Sequence, residues 1–419
     1  MMRILLYEIR KAFLSPIIIA LTIIFIGFNS FLIYENAYIQ NDLRDVNEIA
    51  AKYGTEIDQE MLEKMKNDYE AKMKKVNEGT TTVLAKSYQN MNEFFTDGSF
   101  YLPEKFSEKE IQFFNETALL EFYYFTSQKI DEDFLAYDPI KIAEKEIWMY
   151  GIDGKAAEFI RSHYGKFTDR YEEVLQNKEY KQLFPAQAVF DTHLLLFKTL
   201  FKAMLIESVI LTVLVTAYVM NYEFERGTYL LSYSSKRGRT LWVDKLFAVL
   251  ITNILNWTMI WTISLVGYFT VFSYREFWHV PISSLFNAGK EWFMSWWNLS
   301  FAEYLAAAVL LAYLLIVIFT FMTVIMTRWI RNSYLVFFTF LCMFGVIFVN
   351  QALFSTSNIL FLFGYFTPIN LVLNSFIWFM QRALTFTAYF EIITITIWLL
   401  VLLLGVMYCA KSFRKSDLA

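Results

Sequence analysis

Long apolar runs alternate with one long polar block along the 419 residues, and the length of each run predicts most of the architecture. A helix needs about 20 largely apolar residues to cross a bilayer. Such runs are predicted at Pro16–Tyr34, Met204–Asn221, Leu246–Phe272, Tyr304–Thr327, Ser333–Phe354 and Phe390–Cys409. The first is preceded by Arg3, Arg10 and Lys11 and is followed by no small-residue cleavage site, so a retained helix is expected rather than a signal peptide. In residues 1–15, Ile4, Leu5, Ile9 and Phe13 set against Arg3, Glu8, Arg10 and Lys11 predict an amphipathic helix lying in the membrane interface. Residues 355–389 are apolar but broken by Asn358, Gly364, Pro368, Asn370, Asn374 and Arg382. A re-entrant or outer-leaflet hairpin buried against protein is expected there, with two further spans as the alternative.

The polar block, residues 35–193, reads as folded helix. Ile57, Met61, Met65, Tyr69, Met73 and Val76 form a stripe at spacings of three to four. Ser107 and Glu110 have the spacing of a capping box ahead of Ile111, Phe114, Ala118, Phe122 and Phe125. Asp138-Pro139 reads as an N-cap followed by proline at the first helical position. At about 160 residues the block can bury its own core. The expected fold is therefore an all-α integral membrane protein: six transmembrane helices, a broken re-entrant hairpin before the last, and a mainly helical extracytoplasmic domain.

Charge fixes the expected orientation. Residues 35–193 carry 31 Asp/Glu against 19 Lys/Arg, a charge of −12, while the rest carry 10 against 18, or +8. With both termini inside, thirteen basic residues lie in the cytoplasmic pieces, and only Arg275, Lys290 and Arg382 lie in the short outer loops. An even number of spans agrees with that placement. A cell membrane, of bacterial plasma-membrane type, is the expected location, with residues 35–193 extracellular. The outer loop 275–303 is aromatic, and Trp292/Trp296 and Phe293/Trp297 sit four apart, as on a short interfacial helix.

Enzyme chemistry has no foothold in these residues. There is no phosphate-binding loop, since Gly151-Ile152-Asp153-Gly154-Lys155 lacks both the spacing and the hydroxyl residue. His163, His193 and His279 show no metal-ligand spacing, and Asp131-Glu132-Asp133 reads as a solvated cluster. Cys342 and Cys409 fall in apolar runs and read as packing residues. Neither a metal nor a nucleic-acid partner is expected. Ionisable groups at membrane depth are the sharper candidates for a substrate path. Glu207 has Lys202 five residues before it, an interfacial snorkelling pair, while Arg382 and Glu391 are placed to pair across the outer leaflet.

The polar segment between the second and third spans, 222–245, holds Glu223, Glu225, Arg226, Gly227, Thr228, Leu230, Leu231, Ser232, Ser235, Arg237 and Lys245. With the amphipathic N-terminus, six spans and broken hairpin, this pattern resembles the membrane subunit of an ABC-2-type ABC transporter. The resemblance implies that 222–245 is a coupling loop moved by a separate cytoplasmic ATPase subunit, which binds the ATP and magnesium. Glu223 and Glu225 would accept from that partner's basic residues, and Leu230 and Leu231 would fill its pocket. A second permease subunit, identical or paralogous, is implied as well, all within the lipid bilayer. The large first outer loop departs from the compact members of that family and leaves the cargo open. Export of an amphiphile, a peptide antibiotic or lipid-like molecule, is the leading expectation. The alternatives are a mechanotransmission protein, or a peptide-sensing or immunity protein acting through its outer domain.

Overall fold

The computed structural model describes residues 2–97, 105–235, 238–287, 293–350, 355–382, 385 and 387–415. Among these the chain is all helical, with isolated bridges and no strand. Helix α1 (Met2–Phe13) leads through Ser15 into α2 (Pro16–Glu35), whose proline sits in the first turn where no N–H is needed. The acidic domain follows as α3 (Ile39–Tyr53), α4 (Gln59–Leu84), α5 (Met91–Thr96), α6 (Glu108–Gln128), α7 (Ile130–Leu135), α8 (Pro139–Met149) and α9 (Gly154–Gln176).

Its helices start where the side chains dictate. Asp58 accepts from the Met61 N–H at 2.7 Å to open α4, and Ser107 and Glu110 form the reciprocal capping box of α6. Asp138 accepts from the Ile140 and Lys141 N–H groups ahead of Pro139. The predicted stripe on α4 is buried from Met61 to Val76, and Phe94 of α5 lies at the centre of a ring cluster with Tyr88, Phe106 and Phe114. Tyr69 reaches the buried Glu121 at 2.6 Å. Burial first, then that carboxylate, holds the Tyr69 phenol well above its ordinary range.

The second long helix departs from expectation. It begins not at Met204 but at Gln187, as α10 (Gln187–His193), a π-helical stretch (Leu194–Leu200) and α11 (Phe201–Glu225) in one continuous rod. The expected domain edge at 193 therefore falls inside a helix. The reason is local: nothing between 187 and 204 breaks a helix, and the single extra residue per turn of the π stretch is accommodated without interruption.

After α11 come α12 (Tyr229–Ser234), α13 (Gly238–Val271), α14 (Ile282–Leu285), α15 (Phe301–Thr327), α16 (Ser333–Asn350), α17 (Ile359–Phe363), α18 (Pro368–Leu373) and α19 (Phe390–Lys415). Among the described residues, five helices are long and apolar enough to cross a membrane: α2, α10–α11, α13, α15 and α19; α16 offers a shorter apolar stretch, Ser333–Ile347. The chain is a multi-pass membrane protein. The continuous α10–α11 rod is its centre, packed by α2, α13, α15 and α16, while α2 and α19 lie at the periphery.

The described residues of 355–389 include short broken helices packed on protein, and Trp378 is wholly buried. The expected aromatic helix at 292–297 is absent from 293–297, which is irregular, while Trp292 lies outside the described residues. The indoles of Trp296 and Trp297 instead donate to the Thr385 and Ala388 carbonyls at 3.1 and 2.9 Å, tying this loop to the broken segment. Arg170, buried, clamps the domain to the same place: it holds both oxygens of Glu179 at 2.7 Å and donates to the Ser295 carbonyl at 3.2 Å.

Candidate functional site

The terminal ends of α1 and α19 meet the α11–α13 turn at one end of the bundle. At Gly227 the backbone takes φ +69°, a left-handed turn that stops α11, and the Thr228 N–H returns to the Glu223 carbonyl at 2.9 Å. The six residues of α12 are anchored by aromatics. Tyr229 stacks on Phe224 with centroids 5.2 Å apart, and the buried Tyr233 meets Phe413 of α19 edge-on at 5.0 Å. Gly238 follows because a Cβ there would collide with the Tyr233 carbonyl. With one side of α12 fixed in this way, Leu230 and Leu231 stand out, 52% and 79% exposed. Two adjacent leucines that exposed, on an element too short and rigid to fold them away, form a small apolar knob.

Beneath the knob lies a buried charge network. Lys245, about two turns into α13, is fully buried and donates to the Glu223 carboxylate and, at 2.7 Å, to the Val219 carbonyl. The other Glu223 oxygen is 3.8 Å from Lys11 of α1, which pairs with Glu8 at 2.5 Å and lies 3.9 Å over the Tyr222 ring. Two carboxylates and two ammoniums alternate, so the group is neutral, and it pins α1, α11 and α13 together. Glu225 accepts from the Ser333 N–H at 2.6 Å and so caps the start of α16. Arg239 donates to the Phe413 and Arg414 carbonyls at the C-terminus of α19, where the helix dipole favours a cation.

Of the two acidic residues expected to meet a partner, Glu223 is buried and holds the bundle end together, whereas Glu225 is exposed with its carboxylate on the Ser333 N–H. Arg226, Thr228, Leu230 and Leu231 remain exposed, and Arg237 lies outside the described residues. Lys245, Lys11 and Glu8 are the residues that sequence reasoning missed as a unit, because a lysine beside an apolar run reads as an ordinary interfacial charge.

No family model, no characterised protein and no solved structure matches the chain.

The intramembrane candidates also rearrange. Glu207 does not pair with Lys202. It is buried and accepts from the Asn29 amide of α2 at 2.8 Å, because the longer α10–α11 rod carries it away from the helix end and into the bundle. Glu391 and Arg382 do not pair either. Glu391 accepts from the Phe379 N–H at 2.8 Å, while Arg382 lies 3.9 Å over the Phe293 ring and 3.9 Å from Glu146. Farther along the same helices, Asn253 donates to the hydroxyls of Thr216 and Thr320, both at 3.0 Å, joining α13, α11 and α15. A lone asparagine in an apolar run, as at 29 and 253, is the sequence signal that would have found these contacts.

Proposed function

We propose that the chain is the membrane subunit of an ATP-driven exporter of ABC-2 type, moving an amphiphile such as a peptide or lipid-like molecule out of the cell. On this reading both termini and α12 face the cytoplasm, which the thirteen-to-three distribution of loop basic residues supports, and the acidic domain lies outside. The observation that carries the proposal is the knob of Leu230 and Leu231. It sits directly between two long helices, so a force applied to it is delivered to both α11 and α13. The charge network beneath transmits the displacement instead of absorbing it, since Lys245 and Glu223 are buried and cannot separate cheaply. ATP and magnesium would be held by the partner ATPase, and a second permease subunit would complete the transporter.

A second reading is favoured by one observation. The rod from Gln187 to Glu225 runs without interruption from beneath the acidic domain to the knob, so motion at the knob can also be delivered to that domain. Mechanical work on the outer domain, without cargo, is then the alternative.

Co-purification tests the proposal. The tagged protein in mild detergent is expected to bring down a nucleotide-binding ATPase, and L230D/L231D is expected to release it while leaving the fold intact. Absence of any ATPase with the unaltered chain rules the proposal out.

A further inference from the structure

Between α3 and α6 the acidic domain carries an open groove of about 1070 Å³. Its floor is apolar, with Ile49, Ile111 and Leu119 among its lining. Each wall is a helix edged with carboxylates. On α3, Asp42, Asp45 and Glu48 follow at three-residue spacing and extend about 9 Å along one face. On α6, Glu108 and Glu116 flank Gln112 at four-residue spacing and extend about 12 Å.

The groove's three cations, Arg44, Lys52 and Lys72, offset these five carboxylates only in part. Arg44 is stretched between Asp45 at 3.7 Å and Glu48 at 4.0 Å, and Lys72 meets Glu116 at 3.2 Å. Lys52 turns to Asp68 at 2.5 Å, a residue outside the lining. Burial pushes the Asp45 carboxyl up, Arg44 draws it down, and Glu48 and Asp42 on the same helix, with Glu116 from the opposite wall, push it up again. No three metal-ligating groups come together among the described residues, so the carboxylates are too dispersed to hold a single ion. Two separated rows of negative charge over an apolar floor complement a helix with one apolar stripe and basic residues along both of its edges.

We propose that this groove binds a cationic amphipathic helical peptide, with its apolar stripe on the Ile49–Ile111–Leu119 floor and its Lys or Arg side chains against the two carboxylate rows. The peptide's role as cargo or effector rests on the exporter reading; its binding does not.

The test uses the full chain in phosphatidylcholine nanodiscs and a fluorescein-labelled helix of leucines and lysines about five turns long, read by anisotropy. The expected result is saturable binding absent from empty discs and absent for the same peptide with Glu in place of Lys. D42N/D45N/E48Q should weaken binding by about tenfold, the combined loss of three screened ion pairs, and E108Q/E116Q should weaken it independently from the other wall. A control with the same number of charges removed from the exposed face of α4, E60Q/E63Q/E70Q, should change binding less than twofold. Equal weakening by the control, equal binding of the acidic peptide, or no binding above empty discs overturns the proposal. No ATPase or nucleotide is present, so failure here leaves the exporter reading standing. Failure of ATPase capture likewise leaves the groove.

Discussion

Two helices, α4 in the acidic domain and α2 in the bundle, sort their residues by different rules. In α4 the inner face is Met61, Met65, Tyr69, Met73 and Val76, and the charged residues face out. In α2 the inner face includes Thr22 and Asn29, while Ile17, Ile23, Ile24, Phe28 and Phe31 are exposed. Water drives the first arrangement, because removing apolar area from it is favourable. Lipid is as apolar as leucine and supplies no such drive. There the groups that need partners go inside: Thr22 returns its hydroxyl to the Ile18 carbonyl at 2.8 Å, and Asn29 finds Glu207. Burial by itself therefore means different things in the two regions.

If polar contacts specify the bundle, removing one partner should cost more than removing apolar contact on the lipid face. The largest effect is expected at Lys245→Met, which leaves the buried Glu223 with Lys11, 3.8 Å away, in place of its close partner. A loss of about 3–5 kcal/mol is expected, read as a fall in the thermal midpoint of the detergent-solubilised protein. The double variant K245M/E223L should recover most of it. A single-variant loss no larger than the double's would mean that the pair does not act as a unit.

A smaller effect is expected at Asn29→Leu. It adds apolar volume to a helix surrounded by lipid and bundle, yet should destabilise by about 1–3 kcal/mol because Glu207 loses the Asn29 donor. Stabilisation by this change would contradict the polar-inside rule for α2.

The same contrast explains what was legible in the sequence. In the acidic domain the 3.6-residue period, the Ser107/Glu110 box and the Asp138-Pro139 start were all readable, since burial there follows hydrophobicity. The bundle showed where its apolar runs lie but neither their full lengths nor their faces: α2, α11 and α15 are apolar all round, so no periodicity marks the inner side. Helix starts were equally mixed. Ser300 and Glu303 cap α15 with the same box as α6, a signal available in the sequence, whereas the start of α11's rod at Gln187 carries no capping side chain. The partners of Glu207, Arg382 and Glu391 were not legible, because each is set by helices distant in sequence meeting at one depth. The inward turn of Glu223 depended likewise on Lys245 returning from the next helix.

The most direct measurement is photocrosslinking in living cells with a benzophenone amino acid placed at Leu231, and at Ile24 as a lipid-facing control. The proposed coupling role predicts a covalent adduct between position 231 and a nucleotide-binding ATPase, with none from position 24. Adducts from position 231 that contain only lipid, or no ATPase at all, would contradict it.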